Sequence, residues 1–166
     1  MSKVITFSRV FQKTHPKVGQ PTYFVEKILQ AIYLKNASNF DEKEFNKLNE
    51  IGINPFDHYG IYEPKFHTIR GGHRWKVGDK FSPRVWSGKP YRSYQIIIAS
   101  DIEIKKIWDF KVDIKGLFYL NGKNIDVTST DIPINDGLDS DDFLNWFPVG
   151  KEFSGQILCW RDDIYY

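Results

Sequence analysis

Ile102-Glu-Ile-Lys-Lys-Ile-Trp-Asp-Phe-Lys-Val112, followed closely by Leu117-Phe-Tyr-Leu-Asn-Gly-Lys-Asn-Ile-Asp-Val127, sets the fold class of this chain. The first run alternates apolar and charged residues, the period of a half-buried strand. In the second, Asn121-Gly122 sits between two short apolar runs, the strongest short-range hairpin signal a sequence offers. Working outward, Tyr94–Ala99 is a continuous apolar run that reads as a buried strand, and Phe153–Arg161 reads as a final strand. Lys80–Trp86 is another strand, which Pro83 assigns to a sheet edge or a bulge. Val4–Phe7 opens the chain as a short strand, and Thr14–Pro21 is a loop by its prolines and glycine.

Helices enter early and late. Phe24, Val25, Ile28, Leu29 and Ile32 recur at helical spacing, so 22–35 is an amphipathic helix, and Phe45, Leu48 and Ile51 mark a second over about 41–50. Asp139 or Ser140 caps a short helix running to Phe147, with acids in its first turn. The expectation is an α+β domain with a small, curved, mostly antiparallel sheet or β-barrel and peripheral helices. All 166 residues fit one domain with a helical insertion at about 37–62.

Composition excludes several classes. Apolar residues at 41% and charged residues at 27% are ordinary for a globular chain. No apolar run reaches about 18 residues, so no membrane helix is expected, and the start lacks the pattern of a secretion signal. Cys159 is alone, which rules out an intrachain disulfide or a cysteine cage, and a reducing cytoplasm is the expected setting. His15, His58, His67 and His73 lack compact ligand spacing, so no metal or other cofactor is assigned.

Net charge is only +2, yet it is uneven. Residues 64–93 carry eight basic residues against Asp79 alone, while 128–166 carry eight acids against Lys151 and Arg161. Within the basic stretch, Lys65-Phe-His-Thr68-Ile-Arg70 combines a potential base, nucleophile and anion clamp. A threonine hydroxyl is a poor nucleophile until a base takes its proton. A lysine serves as that base only when burial or nearby cations, here Arg70 and Arg74, depress its pKa. Gly71-Gly72 reads equally as a phosphate cradle or a tight turn. His73, Arg74, Lys76 and Arg84, interleaved with Trp75, Trp86 and Tyr91, suit a phosphate-bearing ligand whose base stacks on a ring. Asp136-Gly137 reads as a plain turn or as a turn delivering a carboxylate.

These residues resemble the ASCH family of the PUA-like superfamily, small β-barrel domains linked to RNA. The likeness is greatest to its small bacterial N4-acetylcytidine amidohydrolases. Ile5-Thr-Phe7 with Phe11-Gln12 is similar to their first strand. Lys65-Phe-His-Thr68-Ile69-Arg70 resembles their K-x-x-T-I-R, and Lys76-Val-Gly78-Asp79 their K-x-G-D. Asp136 takes the place of a glutamate one methylene longer. The resemblance implies that Lys65 activates Thr68 against an acetamide carbonyl while Asp136 orients the lysine or the hydrolytic water. It further implies that Arg70 and backbone N–H groups near Gly71 stabilise the oxyanion. Arg84–Tyr91 has no counterpart in those enzymes and is similar instead to larger, uncharacterised ASCH-like proteins. Three functions follow: an amidohydrolase acting on an N-acylated pyrimidine nucleoside, a non-catalytic nucleotide- or RNA-binding module, and, more weakly, a metal-assisted ribonuclease. Nucleoside or RNA is the expected partner, and oligomeric state is left open.

Overall fold

The computed structural model describes residues 2–33, 42–54 and 61–166. The part of the expected insertion that falls on 34–41 and 55–60 lies outside them, as does the last turn expected for the first helix. The elements run β1 (Lys3–Thr6), α1 (Phe24–Tyr33), α2 (Glu42–Glu50), β2 (His67–Gly71), β3 (Lys80–Trp86), β4 (Gln95–Ile97), β5 (Ile102–Glu103), β6 (Lys106–Val112), β7 (Phe118–Leu120), β8 (Lys123–Ile125), α3 (Ile132–Asn135), α4 (Ser140–Trp146) and β9 (Phe153–Cys159). The class is α+β, as the patterns imply. The strands do not close into a barrel: they form a mixed sheet ordered β1-β3-β4, with β5 also on β3, and an antiparallel sheet ordered β2-β9-β6-β7-β8.

Local signals place most elements. Asn121 and Gly122 both adopt positive φ, 47° and 81°, as the tight turn between β7 and β8 requires. Asp139 caps α4 by accepting from the Asp142 N–H at 2.7 Å. Phe24, Val25, Ile28 and Leu29 line the buried face of α1.

Two expectations need correcting. The stretch 102–112 is not one strand, because it changes sheets at Ile104-Lys105. The Ile104 N–H donates to the Asp79 carbonyl beside the first sheet, whereas the Lys105 N–H donates to the Cys159 carbonyl of β9 in the second. Alternation alone cannot reveal this, since inward and outward residues keep their order through the step. Pro83 is also not on an edge: β3 is the central strand of its sheet. Pro83 is tolerated because β5 pairs with Lys80 and Phe81 while β4 pairs with Arg84 to Trp86. Its missing N–H therefore falls at the gap between two partners, where its carbonyl still accepts from Ile98 at 2.9 Å.

The core joins both sheets to the helices. Part of it is a ring cluster in which Phe110 contacts Phe118, Phe143, Phe147 and Phe153 at centroid separations of 5.5–6.3 Å. Phe110 comes from the inward register of β6, where Phe110 and Val112 are buried while Asp109 and Lys111 face out. Phe110→Ala leaves a cavity that four rings cannot close, so urea unfolding should show a loss of about 3–5 kcal/mol.

Candidate active site

Lys65 stands just ahead of β2, pinned from two sides. Its backbone N–H donates to the Lys27 carbonyl of α1 at 3.0 Å, and the Phe66 N–H donates to the Asn135 carbonyl at 2.8 Å. The side chain is 1% exposed and runs over the ring of Phe24, with Nζ 4.4 Å from the centroid. Asp136 is the C-cap of α3, a one-turn helix with proline in its first turn. Gly137 then takes φ 81°, and the N–H groups of Gly137 and Leu138 return to the Ile134 and Pro133 carbonyls. A side chain at 137 would press on Lys27 and Lys65, with a Cβ 3.2 Å and 3.4 Å from their carbons. The glycine thus makes the turn and clears the space that brings Asp136 onto the lysine. Lys65 Nζ donates to Asp136 Oδ1 at 2.6 Å and also to the Asp136 carbonyl oxygen. The shorter aspartate reaches.

Burial governs the charges here. Loss of water pushes the Lys65 amine down to about 8, and Arg70 and Lys27 push the same way, against the opposing pull of Asp136. Burial likewise raises the Asp136 carboxyl above the usual carboxylate range, opposed by Lys65, Arg70 and Lys27. The cations that act on the amine are Arg70 and Lys27; Arg74, expected from the sequence to do so, acts on Arg70 instead. Arg70 lies over the Phe7 ring at 5.0 Å and donates from Nη2 to the Thr6 carbonyl at 3.0 Å, while its buried Nε has no partner. Burial lowers its guanidinium to about 10.

Lys65, Thr68, Arg70, Trp86, Tyr91 and Asp136 all line one cavity of about 220 Å³, with Thr6, Phe7, Ser8, Phe24, Ile69, Pro90 and Trp146 completing the wall. Thr68 and Arg70 are two apart on β2, and alternation gives them one face. The rings of Trp86 and Tyr91 are 5.3 Å apart, and Tyr91, held at φ 62°, is 89% exposed. Among the described residues no hydrogen bond joins Lys65 Nζ to the Thr68 hydroxyl; the amine is spent on Asp136.

Other sequence candidates go elsewhere. Trp75 is a core residue, 3% exposed and edge-on to Phe81, so it stacks no ligand. Two basic side chains lie over its indole instead, Lys3 at 4.8 Å and Arg74 at 5.6 Å. His73 is exposed near Asp109 and lines a different hollow. Lys76 faces solvent, with its backbone N–H on Asp79. Arg84 donates to Ser82 and Gln95 on the first sheet and does not line the cavity. Gly71-Gly72 makes a turn and no cradle: the Gly72 N–H donates to the Ser154 carbonyl, and neither residue lines the cavity. The oxyanion donor near Gly71 is withdrawn with it. Among the described residues no group of three metal-ligating side chains gathers; His58 lies outside them. No helix there is long and apolar enough to cross a membrane.

The sequence reading missed Lys27, and it weighed His67 only as a metal ligand. Lys27 Nζ donates to the Gly137 carbonyl, behind the acid-bearing turn. His67 is fully buried, with Nε2 3.7 Å from Asp136 Oδ1. Its position inside the Lys65–Thr68 motif was visible, but its partners, 69 residues and more away, were not. Compared with protein families, curated proteins and solved structures, the chain matches none of them.

Removing one member of a buried ion pair strands the other. Asp136→Asn should cost about 3–5 kcal/mol in urea unfolding at pH 7, whereas the double variant Lys65→Met with Asp136→Leu should recover most of that loss.

Proposed function

We propose that the chain is an ASCH-like, PUA-like nucleoside-binding domain whose cavity hydrolyses an N-acylated pyrimidine nucleoside. The observation that carries this reading is the convergence of an amine, a hydroxyl and a carboxylate, 71 residues apart at the extremes, in one hollow that Arg70 also lines. At about 220 Å³ the hollow is smaller than the 300–1,000 Å³ of typical drug-sized pockets, which suits a single acylated ring. Trp86 and Tyr91 supply apolar faces at its edge for the rest of the nucleoside.

Lys65 in its neutral form takes the Thr68 hydroxyl proton as Oγ1 attacks the acyl carbonyl. The carbonyl oxygen becomes an oxyanion facing the Arg70 guanidinium. As the C–N bond breaks, the proton on Lys65 passes to the departing nucleoside amine, leaving an ester on Thr68. Water, deprotonated by Lys65, then attacks the ester carbonyl; as the acyl–Oγ1 bond breaks, Lys65 returns the proton to Thr68 Oγ1 and the carboxylic acid leaves. Asp136 orients the amine through these steps. At rest Lys65 makes two hydrogen bonds to Asp136 and none to Thr68, so the neutral amine must turn its lone pair toward the hydroxyl before it takes the proton.

That resting arrangement favours the second reading, a module that binds nucleoside or RNA without turnover. The exposed ring of Tyr91 and the neighbouring Lys89 and Arg92 would then hold single-stranded nucleic acid, with affinity that falls steeply with salt.

The two separate in one assay. Wild-type protein incubated with N4-acetylcytidine should release cytidine and acetate, and Thr68→Ala should lower the rate about a thousandfold or more. Turnover that survives Thr68→Ala sinks the nucleophile, and no turnover with salt-sensitive RNA binding selects the module. The pH profile carries its own sign. Only the deprotonated amine is a base, so with Lys65 at about 8 the rate should climb about tenfold per pH unit below that point and level off above it.

A further inference from the structure

His67 and Tyr166 form a second hydrogen-bonded arm behind the acid. Asn135 Nδ2 donates to Tyr166 Oη at 2.9 Å. The phenol O–H is then free to donate to His67 Nδ1, 2.7 Å away. An accepting Nδ1 carries no proton, so the neutral ring must hold its proton on Nε2. That N–H lies near the Ile132 carbonyl and 3.7 Å from Asp136 Oδ1, makes no well-formed hydrogen bond to either among the described residues, and is completely shielded from water. A buried donor without a well-formed partner is costly at rest and points to a role in another state of the site.

The oxygen it faces is the one that Lys65 occupies. We propose that His67 is the positioning residue of this site: locked by Tyr166 as the Nε2–H tautomer, it takes over Asp136 Oδ1 when Lys65 gives up its proton. The inference rests on the reading of Lys65 as a base. In the resting state the ammonium satisfies the carboxylate and His67 stands off at 3.7 Å. Once the amine is neutral, the carboxylate would be a buried charge with only a weak donor. A small closing movement then gives it a hydrogen bond from His67. The imidazole moves no proton: it keeps Nε2–H throughout, and the proton leaving Lys65 goes to solvent before the amine accepts that of Thr68.

The charged and titratable surroundings are compatible with a neutral ring. Burial and the Lys65 charge both hold His67 well below its ordinary pKa. Asp136 is faced in turn by Lys65, Lys27 and Arg70. On the far side Cys159 pairs with His67 across β2 and β9, and Asp131 lies near the phenol. Burial pushes both Cys159 and Tyr166 up, so neither ionises near neutrality.

The test needs no substrate, so a failure of the hydrolase reading does not touch it. Protein carrying 15N-histidine reports the tautomer of each ring, with His67 assigned by its loss in His67→Phe. Protein carrying 13C-lysine reports the Lys65 titration, assigned with Lys65→Met. In wild type, His67 should show a protonated Nε2 and a bare Nδ1 from pH 6 to 9, without titrating. In His67→Phe the carboxylate loses its reserve donor, so the pH at which Lys65 deprotonates should rise by about one unit, a tenfold change. Tyr166→Phe keeps the packing and removes only the lock, so His67 should become a mixture of tautomers and the Lys65 titration should move the same way. An Nδ1–H ring, a cationic His67 above pH 6, or a Lys65 titration unmoved in Tyr166→Phe would each overturn the proposal.

Discussion

Burying an amine is what the rest of this structure has to accommodate. An ammonium taken out of water loses several kcal/mol of solvation, and only a partner placed at hydrogen-bond distance offsets the loss. Lys65 receives that partner from a chain segment 71 residues on, and receives it twice, from the carboxylate and the carbonyl of Asp136. The geometry demands a short helix that ends at Asp136 and a glycine that turns the chain away without touching the lysine stem. It also demands that residues 65 and 66 be clamped between α1 and α3, because a side chain can hold such a position only if its backbone cannot drift.

The same burial sets the chemistry. Phe24 lies against the amine and Phe7 against the guanidinium, so the site is walled by rings that screen poorly. Three cations, Lys27, Lys65 and Arg70, share one carboxylate in this volume. A site so arranged holds its lysine near the point of losing a proton and offers positive charge to any oxygen that becomes negative within reach. Two donors here, Arg70 Nε and His67 Nε2, make no well-formed hydrogen bond among the described residues.

Much of the fold was legible along the chain. The β7–β8 hairpin followed from Asn121-Gly122, and the α4 cap from Asp139, because each depends on residues within a few positions of one another. Lys65, Thr68 and Arg70 also stood out, since their side chains in that spacing serve no packing pattern. What went astray depended on distant neighbours. Pro83 reads as marking an edge or a bulge, and the edge is excluded only because β4 and β5 divide the far side of β3 between them. Trp75 seemed a stacking platform because it sits among cations, yet those cations cover it and its ring faces Phe81.

The sequence by itself determined most of the strand and helix segments, though not α3, together with the tight turns and the basic motif, all of which are relations between residues close along the chain. Only the tertiary structure decided that the run 102–112 changes sheets, that the basic stretch splits between a cavity and open surface, and that His67, Tyr166 and Lys27 surround the acid. The physical reason is that solvation belongs to a place in space. Whether a lysine is an ordinary surface cation or a buried amine near its point of deprotonation depends on how much water the other elements exclude, and that is known only once they have packed around it.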